Sequence, residues 1–183
     1  MSVMSTLRIL AALAWAWAAW ADVTNCACDP AKPETMQARE CGLCREAEKQ
    51  PPEVKIFYLK DTNPRKPNRW LALPRAHTSA GHHLDQLPDR DRIALWIAAI
   101  EKAGQLWGDE WGVAYNGEAV RTQCHTHLHI GKLLEGVCSG KILTISRPSQ
   151  IPKHPRKGLW IHPAGKKLHV HLEENITETA LMR

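Results

Sequence analysis

Between Asn116 and Gly131 the chain gathers side chains that can handle phosphate or metal. His125, His127 and His129 recur with a period of two in the run Arg121-Thr122-Gln123-Cys124-His125-Thr126-His127-Leu128-His129-Ile130-Gly131. In a strand that period sets the three imidazoles on one face, about 6.5–7 Å apart, and Thr126, Leu128 and Ile130 on the other. Imidazole titrates near neutrality, with an ordinary pKa of about 6.5, so such a row can attack, move protons, or bind metal or phosphate. His127, with a neighbour on each side to orient it, is the candidate nucleophile; a covalent step would split one hard displacement at phosphorus into two easier ones. Arg121 offers a planar charged fork for phosphate, Thr122 and Gln123 offer hydrogen bonds, and Asn116 offers an amide donor at the Asn116-Gly117 turn. Phosphoryl transfer rests on such positioning and on charge stabilisation at the equatorial oxygens. The rival chemistry is a zinc ion held by three imidazoles and a water, but no acidic general base lies close in sequence. The plainest alternative is a half-buried strand whose histidines are merely satisfied.

The rest of the chain must position that run. A length of 183 residues with 44% hydrophobic content suits one globular domain with a substantial core. The formal charge of +5 and the pI near 9.0 suit an anionic ligand or membrane surface. They do not indicate a nucleic-acid binder, because no basic block interleaves with aromatics and there are only one Phe and two Tyr. Val54–Leu59 and Trp70–Leu73 predict a hairpin across the Asn63-Pro64 turn. Leu87-Pro88-Asp89 starts a long core helix in which Ile93, Trp96, Ile97, Ile100 and Trp107 fall near one face, and Gly108 ends it. Ile142–Ile145 predicts a short strand. Leu159–His162 and Leu168–Leu172 predict a second hairpin around Pro163-Ala164-Gly165.

The beginning of the chain reads differently. Arg8 precedes a 13-residue apolar run, Ile9 to Ala21, shorter than the roughly 20 residues that span a bilayer. Residues 1–21 therefore predict a secretory signal peptide cleaved after Ala19-Trp20-Ala21, or else an N-terminal anchor. Either one exports the body to the periplasm or a membrane surface. A Cys- and Pro-rich arm, with a helical turn around Cys41 to Ala47, is expected over 22–52, and the main domain over 53–183. Six cysteines in an exported chain make disulfides plausible, but their pairing cannot be read from sequence.

The Arg121–His129 run resembles the signature of the histidine-triad superfamily of nucleotide hydrolases and transferases. The Asn116-Gly117 turn fits it, and Leu71-Ala72-Leu73-Pro74-Arg75-Ala76-His77 is similar to the family's strand ending in Pro-Lys-x-x-His. Within the superfamily, the Arg-Thr-Gln start and the Asn116 spacing are most similar to bacterial CDP-diacylglycerol pyrophosphatases, which carry an N-terminal membrane-targeting segment. The resemblance spans about Val54 to Gly131. It implies an α+β fold, an antiparallel sheet with packed helices. It also implies that His127 attacks the nucleotide α-phosphorus, that water releases a nucleoside monophosphate, and that Asn116, Thr122, His125 and His129 hold the phosphates, with His129 polarising the reacting centre. Arg121 and Gln123 carry over through the branch-specific run. Many members are dimers through a sheet edge.

Two further features bear on metal and membrane. Cys41-Gly42-Leu43-Cys44 has zinc-pair spacing. Some histidine-triad relatives, and the similar galactose-1-phosphate uridylyltransferases, complete such a site with residues that here would be His77 and His125; a disulfide is the competing expectation. His82, His83, His154, His162, His169 and His171 read mainly as surface residues, although His169 and His171 alternate on the last hairpin. The Lys153–Lys157 loop could meet anionic lipid headgroups. The resulting expectation is an exported nucleotide pyrophosphate hydrolase, with CDP-diacylglycerol, cleaved to CMP and phosphatidate, as the specific substrate. The chemistry itself would need no cofactor, and a structural zinc could accompany it. The alternative is a metal-binding or redox module using the His and Cys clusters.

Overall fold

Short apolar runs separated by Pro, Gly and Asn turns pair into one antiparallel sheet, because each strand buries a face only beside its neighbours. The computed structural model of the chain describes residues 23, 26–76, 82–138, 140–153, 157–174 and 176–183. The expected signal segment at 1–21, His77 and His154 lie outside the described residues. The strands are β1 (Ile56–Lys60), β2 (Trp70–Pro74), β3 (Trp111–Tyr115), β4 (Leu128–Lys132), β5 (Ile142–Ile145), β6 (Gly158–Ala164) and β7 (Lys167–Glu174). They form a seven-stranded sheet in the order β1-β2-β4-β3-β6-β7-β5, antiparallel at every pairing. Among the described residues two α-helices, α1 (Gly42–Glu48) and α2 (Asp89–Trp107), complete an α+β fold. Both predicted hairpins form, β1 with β2 and β6 with β7.

The long helix covers one face of the sheet. Asp89 and Asp91 sit in its first turn, where the positive end of the helix dipole favours them, and Gly108 ends it at φ 57°. Its buried stripe is Leu95, Trp96, Ala99 and Ala103, while Ile97 is exposed. Of the predicted face, Trp96, Ile100 and Trp107 do pack on the core, but Ile97 turns out to solvent and small Ala99 and Ala103 take the closest approach to the strands. Trp96 joins Val113, Leu128, Ile130, Ile161 and Val170 in the main core.

The opposite face is covered in two pieces. At the β1/β2 end, Ala47 and Leu43 of α1 pack on Phe57, Leu59, Leu71 and Leu73. Towards the other end, Ala180 and Leu181 pack on Ala114 and Trp160. Gly112 and Gly131 face each other across β3 and β4 and make room for this C-terminal segment. A Cβ on Gly112 would clash with Leu181 Cδ2, and one on Gly131 would stand 3.1 Å from Leu181 Cβ. Between the two pieces lies a cleft, and register puts Leu71, His129 and Ala114 in a row across its floor.

The histidine run is not one strand. Only His129 belongs to β4, whereas 121–127 form an irregular loop. The reason lies in β2, where the ladder to β4 stops at Ala72 opposite Leu128. Pro74 has no N–H to continue it, and its carbonyl accepts instead from His125 Nε2 at 2.7 Å.

The N-terminal arm holds that loop in place. Disulfides join Cys26 to Cys124 and Cys28 to Cys41. Cys124 N–H donates to the Glu40 carbonyl at 2.8 Å. The Gln123 amide donates to the Arg39 carbonyl at 3.0 Å and accepts from Leu43 N–H at 3.1 Å. The Cys26–Cys124 bond spans 98 residues, and a cross-link over so long a loop strongly restricts the unfolded chain. Cys26→Ser should therefore lower stability by about 2–5 kcal/mol, read as a lower urea midpoint with the denaturant slope compared alongside.

Candidate functional site

The cleft holds a cavity of about 560 Å³, within the usual range for small-ligand sites. His127, His129, Asn116, Thr122, Gln123, Lys66 and Glu178 are among the side chains lining it, together with Arg45 from the arm. The fold thus brings together five of the residues expected from sequence, Asn116, Thr122, Gln123, His127 and His129, and adds Lys66 and Glu178.

Ring protonation in this cleft follows from the hydrogen bonds. His127 Nδ1 lies 2.7 Å from the His125 carbonyl. A carbonyl can only accept, so Nδ1 carries the proton and Nε2 keeps its lone pair. The Asn116 amide is fixed in the same way. Its Oδ1 accepts from the Glu178 N–H at 3.1 Å and from the Thr177 hydroxyl at 3.3 Å. Its Nδ2 therefore donates, reaching Glu178 Oε1 at 3.2 Å and His129 Nε2 at 3.3 Å. His129 accordingly accepts on Nε2 and carries its proton on Nδ1, which stands 3.7 Å from Glu178 Oε2. The two rings meet edge to face with centroids 4.9 Å apart.

Charge is balanced beneath them. Glu178 Oε2 pairs with Lys66 Nζ at 2.5 Å and with Arg69 Nη1 at 2.7 Å. Burial by itself would raise the Glu178 carboxyl, but His129, Lys66 and Arg69 outweigh it and hold the pKa at about 2. Burial, reinforced by His129, lowers His127 to about 3. Burial lowers His129 to about 4, against the pull of Glu178. Near neutral pH both imidazoles are uncharged, so Lys66 and Arg69 are the cations that face the carboxylate. A neutral imidazole with an exposed Nε2 lone pair is a nucleophile or a ligand; a charged one is neither.

Other expected site residues serve elsewhere. Arg121 is buried outside the cavity; its guanidinium donates to the His82 carbonyl at 2.7 Å and lies over the Tyr115 ring, 5.6 Å from the centroid. It braces the loop rather than reaching ligand. His125 is fully buried, with Nε2 committed to Pro74, so it acts on the site through the carbonyl that orients His127. The Gln123 amide is committed to the arm, although its side chain still lines the cavity.

The expected zinc set is not assembled. Cys41 is oxidised onto Cys28, which leaves no thiolate there for a metal. Burial raises Cys44 to about 12, with the His125 backbone beside it. His125 has given its Nε2–H to Pro74, and His77 lies outside the described residues.

In comparisons with known proteins, the chain matches no protein-family model and no curated protein. What the cleft can do must be judged from its own chemistry. Among the described residues no helix is long and apolar enough to cross a membrane.

Glu178, Lys66 and Arg69 were not found from sequence. Glu178 sits in a polar Thr177-Glu178-Thr179 tail and Lys66 in a turn, positions that are usually solvated. The one available signal was Arg69 beside the apolar start of β2, since a strand-flanking arginine that becomes buried needs an acid.

The lowered histidines give a signed pH dependence. Between the ordinary value of about 6.5 and their folded values of about 3 and 4, the unfolded chain binds protons that the fold does not. Stability from these groups is complete above that window and is lost as pH falls through it. The lowered Glu178 adds a loss in the same direction at still lower pH. Thermal unfolding from pH 7.5 to 4 should show a falling midpoint, and His129→Asn should flatten that fall.

Proposed function

We propose that the chain is a nucleotide pyrophosphate hydrolase of the histidine-triad type, working through a nucleotidyl-histidine intermediate. One observation carries the reading: His127 Nδ1 is pinned to the His125 carbonyl, so its Nε2 lone pair stands as the nucleophile at a cavity wall. The antiparallel α+β sheet is compatible with it, and the histidine-triad architecture is part of the proposal.

In the first step His127 Nε2 attacks the α-phosphorus. A P–N bond forms as the bridging P–O bond breaks, and that electron pair leaves with the departing phosphate. The Nδ1–H remains on the His125 carbonyl and stabilises the positive charge the ring acquires. Thr122 and Lys66 are available to the equatorial oxygens, where charge builds, while Asn116 Nδ2 keeps its two hydrogens on Glu178 and His129. His129 stands beside the reacting centre, held by Asn116. Water then attacks the phosphorus; a P–O bond forms as the P–N bond breaks, the electron pair returns to Nε2 to restore neutral His127, and the water's proton passes to solvent as the nucleoside monophosphate leaves.

The first substrate to examine is CDP-diacylglycerol, giving CMP and phosphatidate, followed by dinucleoside polyphosphates and nucleotide sugars. An exported setting, periplasmic or at a membrane surface, is part of the proposal; the Cys26–Cys124 and Cys28–Cys41 disulfides support it, because such bonds persist in oxidising compartments.

His127→Ala should reduce kcat by about 10³-fold or more, the scale expected when a covalent nucleophile is lost, while the circular dichroism spectrum is unchanged. Rapid quench with α-phosphate-labelled nucleotide should place label on His127. Turnover retained in His127→Ala would remove the nucleophile assignment. Because burial lowers His127, the acid limb of kcat/KM should fall below pH 6.

A further inference from the structure

On β6 and β7 a second group of chemistry-bearing side chains lies on the same sheet face as His129, several strands away. Register pairs Ala114 with Trp160 and Trp160 with His171, so the row that begins at His129 continues across β3 and β6 to β7. With strands about 4.8 Å apart, His171 stands three strands from His129, roughly 14 Å away. The proposed hydrolysis does not use this group.

His162, His171 and Cys138 converge there, with one ligand atom from each lying within 4.8 Å of the others. His162 Nε2 is 3.2 Å from His171 Nε2 and 3.4 Å from Cys138 Sγ. In a tetrahedral zinc site, with Zn–N near 2.0–2.1 Å and Zn–S near 2.3 Å, neighbouring ligand atoms stand about 3.3–3.6 Å apart. The two close separations lie within about 0.2 Å of these values.

The rings are held ready for it. His162 Nδ1 lies 2.8 Å from the Pro163 carbonyl, so it donates there and Nε2 keeps the lone pair. A second contact of this kind orients most metal-bound histidines. His171 is fully buried and stacks on Trp160, centroids 3.6 Å apart and planes 9° from parallel. His169 meets His162 edge-on at 5.2 Å. Of the six cysteines, four are in disulfides and Cys44 is buried; Cys138 is the free thiol that is exposed.

We propose that Cys138, His162 and His171 form a site of one thiolate and two imidazoles for a zinc-class divalent cation, with a fourth position open towards solvent. On binding, the Cys138 thiol loses its proton to solvent and becomes the thiolate ligand, and the Nε2–H that His171 donates to His162 Nε2 before the ion enters moves to His171 Nδ1, so that both imidazoles present Nε2 lone pairs. Nothing is oxidised or reduced. The ligand set differs from the Cys41, Cys44, His77 and His125 set expected from the sequence and does not depend on the hydrolase reading.

The test uses the purified full chain, stripped with chelator and titrated with Co²⁺ and then Zn²⁺. One equivalent of Co²⁺ should give a thiolate-to-cobalt charge-transfer band and intense tetrahedral d–d bands, both erased by one equivalent of Zn²⁺. Cys138→Ser, at an exposed position, should abolish the charge-transfer band and weaken affinity about tenfold or more, and His162→Gln should weaken affinity similarly. Because His162 is buried, alkylation of the unaltered chain gives an independent readout: Zn²⁺ should protect Cys138, located by mass spectrometry. Absence of stoichiometric Co²⁺ binding, a band that survives Cys138→Ser, or alkylation of Cys138 indifferent to Zn²⁺ would each overturn the site. Pyrophosphate hydrolysis should be unchanged in Cys138→Ser, so failure of hydrolysis in every variant counts against the hydrolase reading and leaves the metal result standing.

Discussion

The buried guanidinium of Arg69 is the interaction on which the cleft depends. It donates to the carbonyls of Glu178, Leu181 and Met182 at 2.6, 2.7 and 2.8 Å, and to Glu178 Oε2 at 2.7 Å. An arginine fully removed from water needs such saturation, because its charge cannot be shed and an unpaired buried charge is very costly. The result is positional. Arg69 fastens the C-terminal segment against β3 and β4, and that segment delivers Glu178 to Asn116 and His129. Gly112 and Gly131 supply the room, since a larger residue at either would push Leu181 off the sheet.

A second constraint works from the other side. The Cys26–Cys124 bond, the Glu40–Cys124 backbone bond and the Gln123 amide clamp the 121–127 loop onto the arm. That clamp keeps an unpaired stretch of chain from relaxing into a longer β4. Because the loop leaves the ladder, the His125 carbonyl is free to accept from His127 instead of from a neighbouring strand. The orientation of the His127 ring thus depends on where the β2–β4 ladder ends, next to Pro74. The arm and the C-terminal segment are the two walls of one cleft, and neither could be spared without opening it.

Electrostatically the cleft is arranged for neutral imidazoles beside fixed charges. Burial makes a charged imidazole expensive, while the carboxylate of Glu178 is kept ionised by Lys66 and Arg69. Two hydrogen-bonded tautomers result, with the lone pair on Nε2 in both rings. His162, far along the same sheet face, reaches the same state through the Pro163 carbonyl. One chemical device, a ring pinned by a backbone carbonyl, therefore occurs at both ends of the face.

Much of this was fixed by local sequence. Both hairpins, the long helix ending at Gly108, and Leu128 and Ile130 turned away from His129 follow from periodicity and turn residues, which act over a few positions, whereas the antiparallel α+β class is what the resemblance of the Arg121–His129 run to histidine-triad proteins implies. The imidazole spacing and the Asn116-Gly117 turn were also legible, as local facts, and they prompt the chemistry proposed for His127. Tertiary structure alone decided the partners. Disulfide pairing needs Cα atoms brought together from distant positions, so it moved Cys41 from a zinc pair to Cys28. Arg121 looked like a phosphate fork but is buried against His82 and Tyr115, because which way an irregular loop turns depends on what packs over it. Glu178, Lys66 and Arg69 come from a tail, a turn and a strand start more than 100 residues apart at the extremes, and no periodicity links them. The three histidines share a spacing but not a role: His125 orients, His127 presents its lone pair, and His129 answers to Asn116 and Glu178.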